Sequence, residues 1–505
     1  MTAQTDDRFA VDHAHGRDAL VASVRDRSWV MRIGDRWTTA QHGATYPVDC
    51  PATGEHLADA PDASADDIDS AVRAAKQAWP GWAGRDPRSR AGVLRAVAAV
   101  LRDNIDELAV LESLDSGHPV TAMRGDVALA ADMLETYADW SSLLKGETIP
   151  ASGSHLNFTV REPYGVVARI VAYNHPLMFL ATRMAAPLLA GNVVVMKAPD
   201  QCPLSGLRLA ELIAEVVPPG VVTVVTGRGA VSGNALVRHD DVRRIAFIGS
   251  VATGRRIQET AAQCGVKNIT LELGGKNAMI VFPDVDPDEA ARAAINGMNF
   301  RWTAGQSCGS TSRLLVHHSM YEDIVGRVAA LVEEIRLGDP LDEKSEMGCL
   351  VSSSHQQGIA RQVAGAIERG ARLVTAPLPE GPPFDRGHWM APTVLADVTP
   401  EMDIAGHELF GPVLVVMRYD TEAEAVAIAN DPPYGLTASI YTNDIRRAHR
   451  VSRLLDAGYI WINDASRHFP GVPFGGVKDS GVGREESIEE LHSFTQIKTI
   501  NVALS

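Results

Sequence analysis

Apolar positions recur at helical spacing in two early stretches, "SADDIDSAVRAAKQAW" (64–79) and "LRAVAAVLRDNIDELAVLESLDSG" (94–117), and predict two amphipathic helices. Acidic residues crowd the start of the first, where the helix dipole favours them, and Gly117-His118-Pro119 ends the second. Before them, "RSWVMRIGDRWTTA" (27–40) reads as a short hairpin turning at Gly34-Asp35. Near residue 164 the rhythm changes. "GVVARIVAY", "GNVVVMKAP", "GVVTVVTG" and "VRRIAFIGS" are short Val/Ile-rich runs bounded by Gly, Pro or Asn, with helix-like segments such as "LSGLRLAELIAEVV" (204–217) between them. The alternation repeats every roughly 25 residues, near the length of one βαβ unit. Strands apolar on both faces belong to a parallel sheet covered by helices, so this part is a doubly wound, nucleotide-binding type of domain. After "ITLELGGKNAMIVFPDVD" the rhythm restarts, with "RLLVHH" (313–318) as a strand and "MYEDIVGRVAALVEEI" (320–335) as a helix, which predicts a second α/β domain over 276–470. The tail "LHSFTQIKTINVAL" (491–504) alternates like an exposed strand, and an edge strand at a terminus invites pairing with another subunit.

Composition narrows the class. A chain of 505 residues exceeds one hydrophobic core, so two or three domains are expected. The net charge of −16 argues against nucleic-acid and anionic-membrane partners, which need a basic face. Cys50, Cys202, Cys264, Cys308 and Cys349 are scattered, odd in number and form no CxxC pair. That spacing points away from a disulfide framework or a metal site and towards a reducing compartment. The N-terminus "MTAQTDDRFAVDHAHGRD" is polar and acidic, unlike a signal peptide, and no apolar run approaches the ~18 residues of a membrane span. A soluble, cytoplasmic protein is expected.

Candidate chemistry lies in six places, five of them with a plainer alternative. "TAGQSCGSTS" (303–312) surrounds Cys308 with small polar residues, so a substrate could reach its sulfur; an inert thiol is the commoner fate of a lone cysteine. "LELGGKN" (271–277) sets Glu272 in an apolar strand, where desolvation would suit it as a general base, unless the strand is an edge and Glu272 points to water. "VAYNHPLMF" (171–179) ends a strand at Asn174, whose amide could donate to an oxyanion or could simply serve the turn. "VVVMKAPDQ" (193–201) brings Lys197 and Asp200 to a strand end, where they could hold ribose hydroxyls or stay solvated. "FIGSVATGRRI" (247–257) follows a strand and opens a helix, with Gly249, Ser250, Thr253 and Gly254 placed for a phosphate or for a tight turn. "GRGAVSG" (227–233), with Gly229, is one residue too long for the usual dinucleotide fingerprint.

Together these stretches resemble the NAD(P)-dependent aldehyde dehydrogenase superfamily from about residue 40 to the C-terminus. The resemblance rests on Asn174 before its Pro, Lys197, "IGSVATG", "LELGGK", "GQSC", "HELFGPV" (407–413) and "PFGGVKDSGVGRE" (473–485), in the family's order. It implies two doubly wound α/β domains plus a small β bridging element. The cofactor domain would take 1–145, 164–275 and 472–489, the catalytic domain 276–471, and the bridging and oligomerisation strands 146–163 and 490–505. It further implies that Cys308 attacks the aldehyde, that Asn174 and the Cys308 N–H hold the oxyanion, and that Glu272 activates water against a thioester. Lys197, Asp200 and Glu408 would bind the riboses of NAD, Phe410 would lie beside the nicotinamide, and Gly249 with Ser250 would hold the pyrophosphate. A homodimer or homotetramer is implied.

The chain departs from the family's pattern in places. "KAPD" stands where Lys-Pro-x-Glu is usual, so an acidic group still favours NAD over NADP but is one methylene shorter. "FIGS" replaces Phe-Thr-Gly-Ser, and His175 follows Asn174 where Phe is frequent. The presence of Glu272 favours hydrolysis over transfer to CoA. Phe179, Thr182, Arg467 and Phe469 fall in the substrate-tunnel region. Thr182 replaces a bulky aromatic residue there, which suggests a bulky or aromatic aldehyde. Arg467 either steers an anionic group or is a surface charge. A semialdehyde or betaine aldehyde substrate, and a non-catalytic binding role on the same fold, are the alternatives.

Overall fold

The computed structural model describes residues 16–504. Most of the N-terminal stretch read as lacking a signal peptide therefore lies outside the described residues. Three sheets organise the rest. The first has six strands in the order 481–482, 268–272, 242–248, 166–170, 193–197 and 222–225. All pair in parallel except Gly481–Val482, which runs antiparallel to Asn268–Glu272. Its central strands Val166–Ile170 and Val193–Lys197 are buried at every position, as a sheet covered on both faces requires. The second sheet has seven strands, in the order 372–373, 393–396, 413–419, 313–317, 278–281, 437–441 and 459–462. The third is antiparallel: Thr148–Ser152 and Thr495–Ala503 flank His155–Pro163.

The hairpin at Gly34 forms as the pattern predicts, with Met31–Ile33 against Arg36–Thr38 and Gly34 at φ 65°. The helix Ala65–Ala83 starts at Ser64, whose side chain caps Asp67 N–H while Asp67 returns the bond to Ser64 N–H. The single helix expected over 94–117 is two helices, Pro87–Asp103 and Ile105–Ser116. Asn104 separates them at φ −119°, its side-chain amide donating to Val100 O at 2.8 Å, so it competes with the helical ladder. Its local apolar spacing continues through the break, which is why the periodicity hides it. The tail is likewise divided: Ile488–Ser493 is helical and the strand begins at Thr495. All five cysteines are free. Among the described residues, no helix is long and apolar enough to cross a membrane.

Candidate active site

Asn174 lies between the strand Val166–Ile170 and the helix Pro176–Arg183. That helix has no side-chain cap of its own. Glu112, from Ile105–Ser116, supplies one by accepting from Leu177 N–H at 2.9 Å. Burial pushes the Glu112 carboxyl up to about 8. The Asn174 side chain is 2% exposed.

Glu272 ends the strand Asn268–Glu272 and is 5% exposed. Its strand is paired on both sides, to Ile248 and to Gly481, so the edge-strand alternative does not hold. Gly481 is required there: at φ 146° a Cβ would lie 2.2 Å from Leu271 O. Burial, then the Glu485 carboxylate, holds the Glu272 carboxyl well above the usual range.

Cys308 sits on a loop after the short helix Phe300–Thr303, which is left through Ala304 at φ 51° and Gly305 at φ 71°. A Cβ on Gly305 would lie 2.4 Å from Gly411 O, so the "GQSC" glycine serves both the turn and the packing. Asn277 fixes the loop by donating to Cys308 O at 2.7 Å and Ser310 O at 2.9 Å. The buried Gln306 accepts from Val351 N–H at 3.1 Å. Cys308 is partly exposed; burial and the neighbouring Glu272 raise its thiol pKa well above normal.

Two cavities meet at these three side chains. A cleft of 1020 Å³ and a tunnel of 290 Å³ are each bordered by Asn174, Glu272 and Cys308. The cleft runs over the strand ends of the first sheet and holds Lys197, Asp200, Gly229, Gly249, Ser250, Thr253, Glu408 and Phe410. Gly254 stands just inside the helix Val251–Cys264, packed so closely on Leu273 that a Cβ would come within 2.8 Å. Ser250 caps this helix by accepting from Thr253 N–H at 3.3 Å. The first-turn N–H groups without such a cap are the donors a phosphate could take.

The buried Lys197 is ion-paired to Asp200, which stays partly exposed and also accepts from Gly229 N–H at 2.8 Å. That contact is the place of Gly229 in the cleft, and the seven-residue helix Ser232–Arg238 follows it. Glu408 accepts from Gly275 N–H at 3.0 Å, and burial raises its carboxyl to about 7. Phe410, at φ 55°, meets Tyr173 edge-on with ring centres 5.6 Å apart.

The tunnel borders Phe179, Thr182 and Arg467. Thr182 satisfies its hydroxyl internally on Met178 O at 2.7 Å. Arg467 is exposed, with its guanidinium 5.0 Å above Phe469, which is also exposed. The tunnel also contains groups to which the sequence reading gave no role. Glu486 accepts from Arg183 and from His468, each at 3.1 Å. Against the opposing effect of burial, His468 and Arg183 hold its carboxyl down at about 2. His175 and Trp302 complete one wall. Their sequence distance from Glu486, and from the buried Asp126 that joins them, left no local motif to read.

Residues 37–500 match the aldehyde dehydrogenase family. The chain is 46% identical over 462 residues to the aldehyde dehydrogenase tropH of Talaromyces stipitatus, covering 90% of this chain and 89% of that one. It superposes on PnpE from Pseudomonas sp. WBC-3, also solved with nicotinamide adenine dinucleotide, with a TM-score of 0.92 at 39% identity, covering 95% of this chain and 98% of that one. The betaine aldehyde dehydrogenase of Staphylococcus aureus, solved with NAD+, gives 0.93 at 31% identity, covering 97% of this chain and 98% of that one. With its cleft, its tunnel and its cysteine loop in one α/β frame, this chain belongs to the aldehyde dehydrogenase family.

Proposed function

We propose that the protein oxidises an aldehyde to the carboxylic acid with NAD, through a covalent intermediate on Cys308. The observation that carries this reading is the meeting of the two cavities at Asn174, Glu272 and Cys308. A cofactor in the cleft and an aldehyde in the tunnel would reach the same sulfur from opposite sides. The cleft stands at the top of the ~300–1,000 Å³ range of small-molecule sites. The acidic Asp200 at the strand end supports NAD over its 2′-phosphate.

Cys308 Sγ bonds to the aldehyde carbon and gives up its proton. The Asn174 amide and the Cys308 N–H would stabilise the negative oxygen of the thiohemiacetal. NAD, when bound, supplies the acceptor for the hydride leaving that carbon. The thioester left on Cys308 is then hydrolysed by water whose proton Glu272 takes. The carboxylic acid departs and the thiol is restored. Lys197, Asp200 and Glu408 would hold the riboses, Phe410 the nicotinamide side, and the first turn of Val251–Cys264 the pyrophosphate.

The intact base Glu272 supports water over CoA as the acceptor of the acyl group. The tunnel volume suits a single ring or a short chain. The aromatic wall of Phe179 and Trp302 supports a ring, and Arg467, which has no carboxylate partner among the described residues, would receive an anionic group at the mouth. A semialdehyde or betaine aldehyde would use the same steps in a tunnel of different lining.

Stopped-flow NADH formation across aliphatic, aromatic and carboxylated aldehydes tests the proposal, with Cys308→Ala alongside. Turnover by wild type and none by the variant is expected. NADH formed by Cys308→Ala at the wild-type rate would refute it.

A further inference from the structure

His175 is the residue after the oxyanion donor Asn174, and its ring borders the tunnel. It is 5% exposed, and its Nδ1 lies 2.7 Å from Asp126 Oδ2, a carboxylate that is itself 1% exposed. The other oxygen of Asp126 accepts from Trp302 Nε1 at 2.7 Å. One buried carboxylate therefore orients two tunnel rings, and those rings meet edge-on with centres 4.9 Å apart. Phe179 closes the cradle, 5.5 Å from the His175 ring.

The arrangement leaves one group without a protein partner. Nε2 of His175 makes no hydrogen bond among the described residues, yet it is not among the polar atoms sealed from solvent. An imidazole that donates through Nδ1 to a carboxylate keeps Nε2 as an acceptor, and the carboxylate strengthens it. An apolar cradle would not need such a group. A buried acid that orients a histidine towards the tunnel, while holding the tryptophan beside it, has a use if the substrate carries a hydrogen to donate.

We propose that His175, oriented by Asp126, is a specificity residue that accepts a hydrogen bond from a hydroxyl group on the substrate's ring or chain, so that the enzyme prefers hydroxylated aldehydes to their methyl counterparts. This rests on the tunnel being the aldehyde site. A hydroxyl lost from such a site leaves Nε2 desolvated and unpaired, which is the source of discrimination.

The test separates the two readings by measuring binding without chemistry. The Cys308→Ala protein, saturated with NAD, is titrated with the three hydroxybenzaldehydes and the three methylbenzaldehydes. The same titrations are made with His175→Phe and, as a milder change, His175→Gln in that background. Tighter binding of at least one hydroxyl isomer over its methyl partner is expected, by about tenfold, with the ratio collapsing towards one in His175→Phe. No hydroxyl preference in the wild-type tunnel, or a preference that survives both His175 changes, would overturn the inference. A His175-dependent preference for carboxybenzaldehydes over hydroxybenzaldehydes would overturn it too, because the ring would then be a donor. NADH formed from these aldehydes by Cys308→Ala at the wild-type rate would count against the cysteine mechanism, while the binding ratio would still decide the role of His175.

Discussion

The backbone of Gly274 lies against the carboxylate of Glu408 so closely that a Cβ there would come within 1.7 Å of Oε2. The next residue, Gly275, gives its N–H to Oε1 of the same carboxylate at 3.0 Å. The glycine pair of "LELGGK" therefore seats Glu408 over the cleft. A Gly274→Ala enzyme is expected to push the Glu408 side chain from this seat and to raise KM for NAD about tenfold, with a smaller change in KM for the aldehyde. Initial rates with each substrate varied in turn check this. An unchanged KM for NAD would mean that Glu408 does not touch the cofactor.

Glu272 and Cys308 predict the direction of the pH profile. Burial raises both groups, so at neutral pH each keeps its proton for longer than a free side chain would. The proposed chemistry uses both in their deprotonated forms. The turnover number should therefore rise from neutral into alkaline solution. Glu272→Gln should show a burst of NADH followed by a stall, with steady turnover lower by about 10²–10⁴-fold. A variant with full steady turnover would place the base elsewhere.

Much of this site could be read along the chain because its parts are local. The Cys308 loop, the Glu272 strand and the Ser250 helix start each carry their proposed function within a few residues, and their neighbours have the turn and strand chemistry that goes with it. What could not be read is what one segment does to another. The pairing of Asp126 with His175 joins the helix Val120–Asp139 to the turn before Pro176–Arg183, and Glu112 caps a helix far along the chain. The division of the helix at Asn104 was hidden for a different reason: an apolar face that continues across a break looks continuous. The Lys197–Asp200 pair falls between these cases, with both residues singled out and only their bond to each other missing from the reading.

Arg169 ties the C-terminal segment to the first sheet. From the strand Val166–Ile170 it reaches Glu485 Oε1 at 2.7 Å, pairs with Glu490, and lies 4.9 Å above the Phe494 ring. The guanidinium and both carboxylates are buried. Removing one partner of a buried ion pair leaves uncompensated charge, at about 3–5 kcal/mol. Arg169→Met should therefore lower the unfolding midpoint in urea markedly. It should also disturb Glu272, because Glu485 is the charge that acts on it most strongly. A midpoint within error of wild type would show that Arg183, which also faces Glu485 and Glu490, suffices to hold the segment.

The strand Thr495–Ala503 pairs with His155–Pro163 along its whole length, from Thr495 opposite Pro163 to Ala503 opposite His155. It is the last strand on its side of a three-stranded sheet, so its outer backbone groups have no strand partner among the described residues. Ile497 is 62% exposed and Val502 40%. A long edge strand with apolar side chains outward is a pairing surface unless something covers it. A second copy of this chain is the occupant that the resemblance implies, and a dimer or larger homo-oligomer is expected in solution. A chain ending at Phe494 removes the strand and exposes His155–Pro163 as the new edge. Sedimentation velocity should show the wild type as an oligomer and the shortened chain as a monomer or an aggregate. A shortened chain that sediments as the same oligomer would place the subunit contact on another face.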